Sequence, residues 1–89
     1  MKKHTKVYMK FFGYSVADFI PCEICGNKAV DIHHIDARGM GGSKLKDFIE
    51  NLMGLCRSCH DEYGDKVQFK DWLRETHSKF MAKYGRGKV

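Results

Sequence analysis

Apolar and polar positions fall into short, distinct patterns along the chain. In residues 4–12 (HTKVYMKFF), Val7, Tyr8, Phe11 and Phe12 sit at offsets of 0, 1, 4 and 5. This is one face of a short amphipathic helix, which Gly13 stops. Residues 15–21 predict a turn or short helical segment, ended by Pro21. Residues 29–33 predict a short strand with the β-branched Val30 and Ile32 on one face. Residues 38–43 (RGMGGS) are too glycine-rich for regular structure and predict a loop. A helical turn is expected over residues 44–50 and a second short strand over 52–55. A helix of about one and a half turns follows over about residues 58–63, ending at Gly64. Asp65 is the expected N-cap of a longer helix over about residues 66–84. There, Phe69, Trp72, Leu73, Phe80 and Tyr84 form the apolar stripe of a packed helix. With no repeat and no linker, the expectation is one small α+β domain over residues 1–89.

Length and composition add a constraint. At 89 residues, with 43% hydrophobic and 30% charged positions, the chain suits one folded domain and not a disordered tail. A domain this small buries only about 60–65% of the surface its unfolded chain exposes. Scaffolds of this size often need a disulfide or a metal beside their thin core, and four cysteines are available. Sixteen Lys and Arg against eleven Asp and Glu give a net charge of +5, which mildly favours an anionic partner and decides nothing alone. No apolar stretch reaches the length of about 18 residues that a membrane span needs. Lys10, Gly13, Ser15 and Asp18 interrupt any signal-peptide core, so a cytoplasmic location is expected. In a reducing compartment, closely paired cysteines read as metal ligands or redox groups before disulfides.

The cysteines form two Cys-x-x-Cys pairs, Cys22/Cys25 and Cys56/Cys59, separated by 30 residues. Each pair can present two thiolates on a tight turn, and Gly26 permits the positive φ such a knuckle often uses. Together they make a tetrahedral four-cysteine site that suits structural zinc with no open position. The gap exceeds that of a compact zinc ribbon, so something is inserted between the knuckles. The alternative, a redox pair, requires a βαβ context and more chain.

The insertion holds Asp31-Ile32-His33-His34-Ile35-Asp36; Asn51 follows His34 by 17 positions, and His60 comes directly after the last cysteine. Adjacent histidines at a strand end point to opposite faces, so one can face a metal and the other a substrate. The arrangement resembles the HNH endonuclease family over about residues 20–65, carried by CEICGNKAVDIHHI and ENLMGLCRSCH. The order Cys-x-x-Cys, His-His, Gly-Gly loop, Asn-Leu, Leu-Cys-x-x-Cys-His is specific jointly, though no piece is specific alone. The resemblance implies a ββα-metal (His-Me finger) motif, two short strands and a helix gripping one divalent cation. In the family's zinc-containing branch, four cysteines staple that motif; here helices would flank it on both sides.

By this resemblance, His33 and His60 would hold the catalytic ion (Mg²⁺, Mn²⁺, Co²⁺, Ni²⁺ or Zn²⁺), His34 would be the general base, and Asn51 would brace the long loop. Two imidazoles lean toward Mn²⁺, Co²⁺ or Ni²⁺ over the oxygen-preferring Mg²⁺. The chain departs from its relatives at Gly64, where some carry a third histidine ligand, and at Ala37, where many carry proline. The expected activity is hydrolysis of DNA phosphodiesters to 5′-phosphate and 3′-hydroxyl ends. Whether it nicks or cuts both strands depends on whether two copies meet on a duplex.

Arg38, Lys44, Lys46 and Arg57 flank the expected centre as candidate phosphate contacts, with Arg38 matching a basic position common in relatives. Such contacts are backbone-directed and carry no sequence information. Small proteins resembling this one occur in phages or mobile elements and assist packaging, homing or restriction, so a larger phage or restriction partner is a further expectation. The competing reading is a non-catalytic zinc module that only binds nucleic acid. It needs neither a histidine beside a metal ligand nor a ligand at His60.

Overall fold

A computed structural model of the protein describes residues 2–36 and 47–85. The glycine-rich segment expected as a loop, with Arg38, Lys44 and Lys46, lies outside the described residues. The fold is small α+β. Helix α1 (Lys3–Phe12) ends at Gly13, whose φ of 73° is the left-handed turn that its position after the apolar face foretold. Strand β1 (Asp31–His34) pairs antiparallel with β2 (Leu52–Leu55), in the register His33 opposite Met53 and His34 opposite Leu52. Helix α2 (Arg57–Cys59) runs straight into a π-helical turn, His60–Gly64. A 3₁₀ turn (Val67–Phe69) then leads into α3 (Lys70–Tyr84).

β2 is buried along its whole length and separates two apolar clusters. On one side Met53 and Leu55 meet Cys22, Ile35, Cys56, Cys59 and Leu73. On the other, Leu52 meets Tyr8 and Phe12 of α1, with Phe80 and Met81 of α3 packed against them. The cysteine knuckles thus close one face of the strand and α1 the other, while α3 packs on both, through Leu73 on the first and Phe80 and Met81 on the second. Gly54 is required by this packing, because a Cβ there would fall 2.9 Å from the Tyr8 hydroxyl.

Three expectations are revised. β1 begins at Asp31 instead of residue 29, and Val30 is exposed while Ile32 packs inward. Asp65 does not cap α3: the 3₁₀ turn intervenes and Phe69 takes the N-cap position. The stripe on α3 is narrower than its aromatic residues suggest. Leu73 is fully buried, but Trp72 and Tyr84 are 41% and 47% exposed, and the second buried position of the helix is His77.

His77 belongs to a buried polar network. The Glu23 carboxylate, inside the first Cys-x-x-Cys, accepts from the Tyr8 hydroxyl at 2.5 Å and the Gly54 N–H at 3.1 Å. His77 Nδ1 lies 2.6 Å from Glu23 Oε1, and its Nε2 lies 2.6 Å from the Ile49 carbonyl oxygen. Two acceptors call for two N–H donors, the imidazolium form. Burial opposes that charge, but Glu23 and the Ile49 carbonyl outweigh it and hold the His77 pKa above its ordinary value. The network ties α1, the first knuckle, β2 and α3 together. Replacing His77 with glutamine leaves a buried carboxylate without its cation and is expected to destabilise the protein by about 3 kcal/mol. Because the folded pKa is raised, this contribution is complete below the unfolded value of about 6.5 and fades as pH rises through the folded value. Denaturant titrations of wild type and His77→Gln, repeated across pH, should show the stability gap closing on the alkaline side.

Candidate metal and acid–base site

The four cysteines converge. Cys22, Cys25, Cys56 and Cys59 bring their sulfurs within 4.8 Å of one another, and Cys25 and Cys56 approach to 3.6 Å. Four ligands at about 2.3 Å from one zinc stand about 3.8 Å apart on a tetrahedron, so the spacing fits that ion. The first knuckle is a tight reversal, with Gly26 at φ 83° and its N–H bonded to the Cys22 carbonyl at 2.9 Å. In the second, the Cys59 N–H donates to Cys56 Sγ at 3.5 Å. That hydrogen bond, above all, lowers the Cys56 thiol pKa to about 7, whereas burial pushes Cys59 up. All four thiols are free of disulfides.

The insertion brings its histidines to one open cavity of about 400 Å³, lined by Lys2, His4, Asp31, Ile32, His33, His34, His60 and Asp65. β1 supplies His33 and His34, and the π-helical turn after the second knuckle supplies His60. The His33 and His60 rings meet edge to face with centroids 4.9 Å apart. His33 is buried, and its Nε2 has no hydrogen-bond partner among the described residues. Burial, helped by the neighbouring His60, keeps the His33 pKa below its ordinary value, so the ring favours the neutral form that a metal needs.

His34 turns to other partners. Its Nε2 lies 2.7 Å from Oδ1 of the buried Asp47, and its ring packs 4.7 Å from that of His4. Asn51 is buried and clasps the backbone of Asp36 at both ends. Its Oδ1 accepts from the Asp36 N–H at 2.7 Å, and its Nδ2 donates to the Asp36 carbonyl at 3.0 Å. Arg57 is exposed at the start of α2 and does not line the cavity. A larger cleft of about 560 Å³ beside the first knuckle runs along Pro21, Phe80 and Tyr84. Its mainly apolar walls bring no histidine together with a carboxylate, so the smaller, histidine-lined cavity is the better candidate.

Sequence reasoning missed three groups here. His4 comes from α1, where no local pattern marks it. Asp47 was absorbed into an expected helical turn. Asp65, read as a helix cap, places its carboxylate oxygens 4.0 Å from His33 Nδ1 and 4.0 Å from His60 Nε2.

Among the described residues, no helix is long and apolar enough to cross a membrane. No solved structure matches the chain. The uncharacterized protein YdfU of Escherichia coli (strain K12) is 40% identical over 52 residues, which cover 57% of this chain and 15% of that protein. The family model for HNH endonuclease matches residues 22–66, from the first zinc-knuckle cysteine to just beyond the histidine cavity and over half of the chain. Carrying the family's pattern through both knuckles and the insertion between them, the chain belongs to the HNH endonuclease family.

Proposed function

We propose that the protein is a metal-dependent DNA endonuclease, hydrolysing phosphodiester bonds at the cavity between β1 and the π-helical turn. The observation that carries this reading is the convergence of His33, His60 and His34 on one open cavity. Two of these imidazoles pair with each other and the third is held by a carboxylate. His33 and His60 would hold one divalent ion. When bound, that ion supplies Lewis-acid polarisation of the scissile phosphate and stabilises charge on the departing 3′ oxygen.

The chain's own residues do the rest. With Asp47 as a carboxylate, the His34 Nε2–H donates to it, which leaves Nδ1 as the basic nitrogen to take a proton from the attacking water. Asn51, clasping Asp36 two residues after His34, fixes the end of the strand from which the base projects. Lys2 and the basic segment carrying Arg38, Lys44 and Lys46 would draw the DNA backbone toward the cavity, and Arg57 would extend this footprint. Their contribution would weaken with salt.

The test is a supercoiled-plasmid assay across Mg²⁺, Mn²⁺, Co²⁺, Ni²⁺ and Zn²⁺. Nicked or linear product is expected with at least one ion and none without; intact plasmid under every ion would overturn the reading. Binding of the plasmid without cutting would favour a nucleic-acid-binding module. His60→Ala is expected to weaken divalent-ion binding about tenfold or more; unchanged affinity by calorimetry would remove His60 as a ligand.

A further inference from the structure

We infer that Asp65 is a third protein ligand of the divalent ion at His33 and His60, making a site of two imidazoles and one carboxylate. The inference rests on the reading of that histidine pair as a metal site and adds to it a residue outside the expected ligand set. His33, His60 and Asp65 each offer a donor atom, and these atoms lie within 4.8 Å of one another. The two contacts of Asp65, at 4.0 Å to His33 Nδ1 and 4.0 Å to His60 Nε2, are too long for hydrogen bonds. They leave a space that one cation, attracted to the carboxylate and both imidazoles, would close. The buried Nε2 of His33, the other nitrogen of that ring, has no hydrogen-bond partner among the described residues, so no donor there commits the ring proton to Nδ1, the nitrogen that faces Asp65.

Gly64 explains why the carboxylate can come from the next residue. A Cβ at Gly64 would fall 3.2 Å from His60 Cδ2 and 3.5 Å from His33 Cε1. A side chain there would lie against the two imidazoles; its absence leaves the approach to Asp65. Asp61 supplies an internal comparison. Its carboxylate also stands near His60, 3.9 Å from Nδ1, but it does not line the cavity, whereas Asp65 does. An oxygen ligand also revises the metal preference expected from two imidazoles alone, shifting it toward Mn²⁺ over Ni²⁺.

The experiment is calorimetric titration of Mn²⁺ and Ni²⁺ into protein whose four-cysteine site is already loaded with zinc. Wild type is compared with Asp65→Ala, Asp65→Asn and Asp61→Ala. Asp65 is 79% exposed, so its variants should fold, which circular dichroism checks. Asp65→Ala is expected to weaken Mn²⁺ binding about tenfold or more and Ni²⁺ binding by less, with Asp65→Asn intermediate and Asp61→Ala close to wild type. Wild-type Mn²⁺ affinity in Asp65→Ala would overturn the inference. So would equal losses for both ions in the Asp65 and Asp61 variants, which would mark a general charge effect. No binding of either ion by wild type would overturn the histidine pair as well. Because no DNA is present, an intact plasmid combined with an Asp65-dependent Mn²⁺ site would fail the nuclease reading while sustaining this one.

Discussion

Stripping the zinc from the four-cysteine site is expected to unfold the protein, with loss of the helical circular dichroism signal and of any cooperative melting transition. Three of the four cysteines sit inside the core: Cys22, Cys56 and Cys59 are members of the cluster that packs against Met53, Leu55 and Leu73, while Cys25 is exposed. That cluster and the one around Tyr8 are small, and a chain of 89 residues has little more to bury. Structural zinc contributes on the order of 10 kcal/mol coupled to folding, as much as the entire stability of a typical domain. Without it, a 3.6 Å contact between the Cys25 and Cys56 sulfurs takes the place of metal bonds between the knuckles, and four thiols remain within 4.8 Å of one another. The measurement is far-UV circular dichroism and thermal melting, before and after chelation, with released zinc counted by a chromogenic indicator. A melting curve unchanged after one equivalent of zinc has left would show that the core stands alone. Cys22→Ser, which removes a buried ligand, should give the same outcome without chelator.

The residues that do this stapling were the easiest part of the fold to read. Thiolate pairs at a two-residue spacing leave few other chemistries open, and the strands between them carry their own β-branched and leucine-rich patterns. The helix stop at Gly13 was equally local, since left-handed backbone there favours glycine. His33, His34, Asn51 and His60 were found through the family pattern that surrounds them. What stayed hidden depends on long-range packing. His77 lies in the polar sequence of α3 and acquires its buried place only because Glu23, 54 residues earlier, turns inward from the first knuckle. Asp65 has the residue type and position of a helix cap, and only the intervening 3₁₀ turn directs it toward the imidazoles. Asp47 and His4 reach His34 from segments 13 residues ahead and 30 residues behind, distances over which no local periodicity operates.

Replacing His34 with alanine is expected to lower the cleavage rate by about 10²–10⁴-fold, the range of a positioned general base, while DNA and divalent-ion affinities stay at wild-type values. The separation follows from partners. His33 and His60 face each other, whereas His34 is held by Asp47 and covered by His4, so its imidazole can be removed without disturbing the pair that would hold the ion. A phosphodiester repels the approaching nucleophile through its own negative charge, and a neutral water is a weak nucleophile. Removing a proton from that water during attack is the step only a group such as His34 performs, so its loss falls on the rate of chemistry and not on binding. Single-turnover cleavage with Mn²⁺, beside calorimetric Mn²⁺ binding and DNA binding by anisotropy, tests each part of the claim. Cleavage at the wild-type rate would assign the base elsewhere, and a matching loss of Mn²⁺ affinity would make His34 a ligand instead. Added imidazole should restore part of the rate in His34→Ala by filling the space the side chain leaves, whereas it should do nothing for His60→Ala at saturating metal. A base and a ligand, one strand end and one helical turn apart, are thereby told apart by which of them a free imidazole can replace.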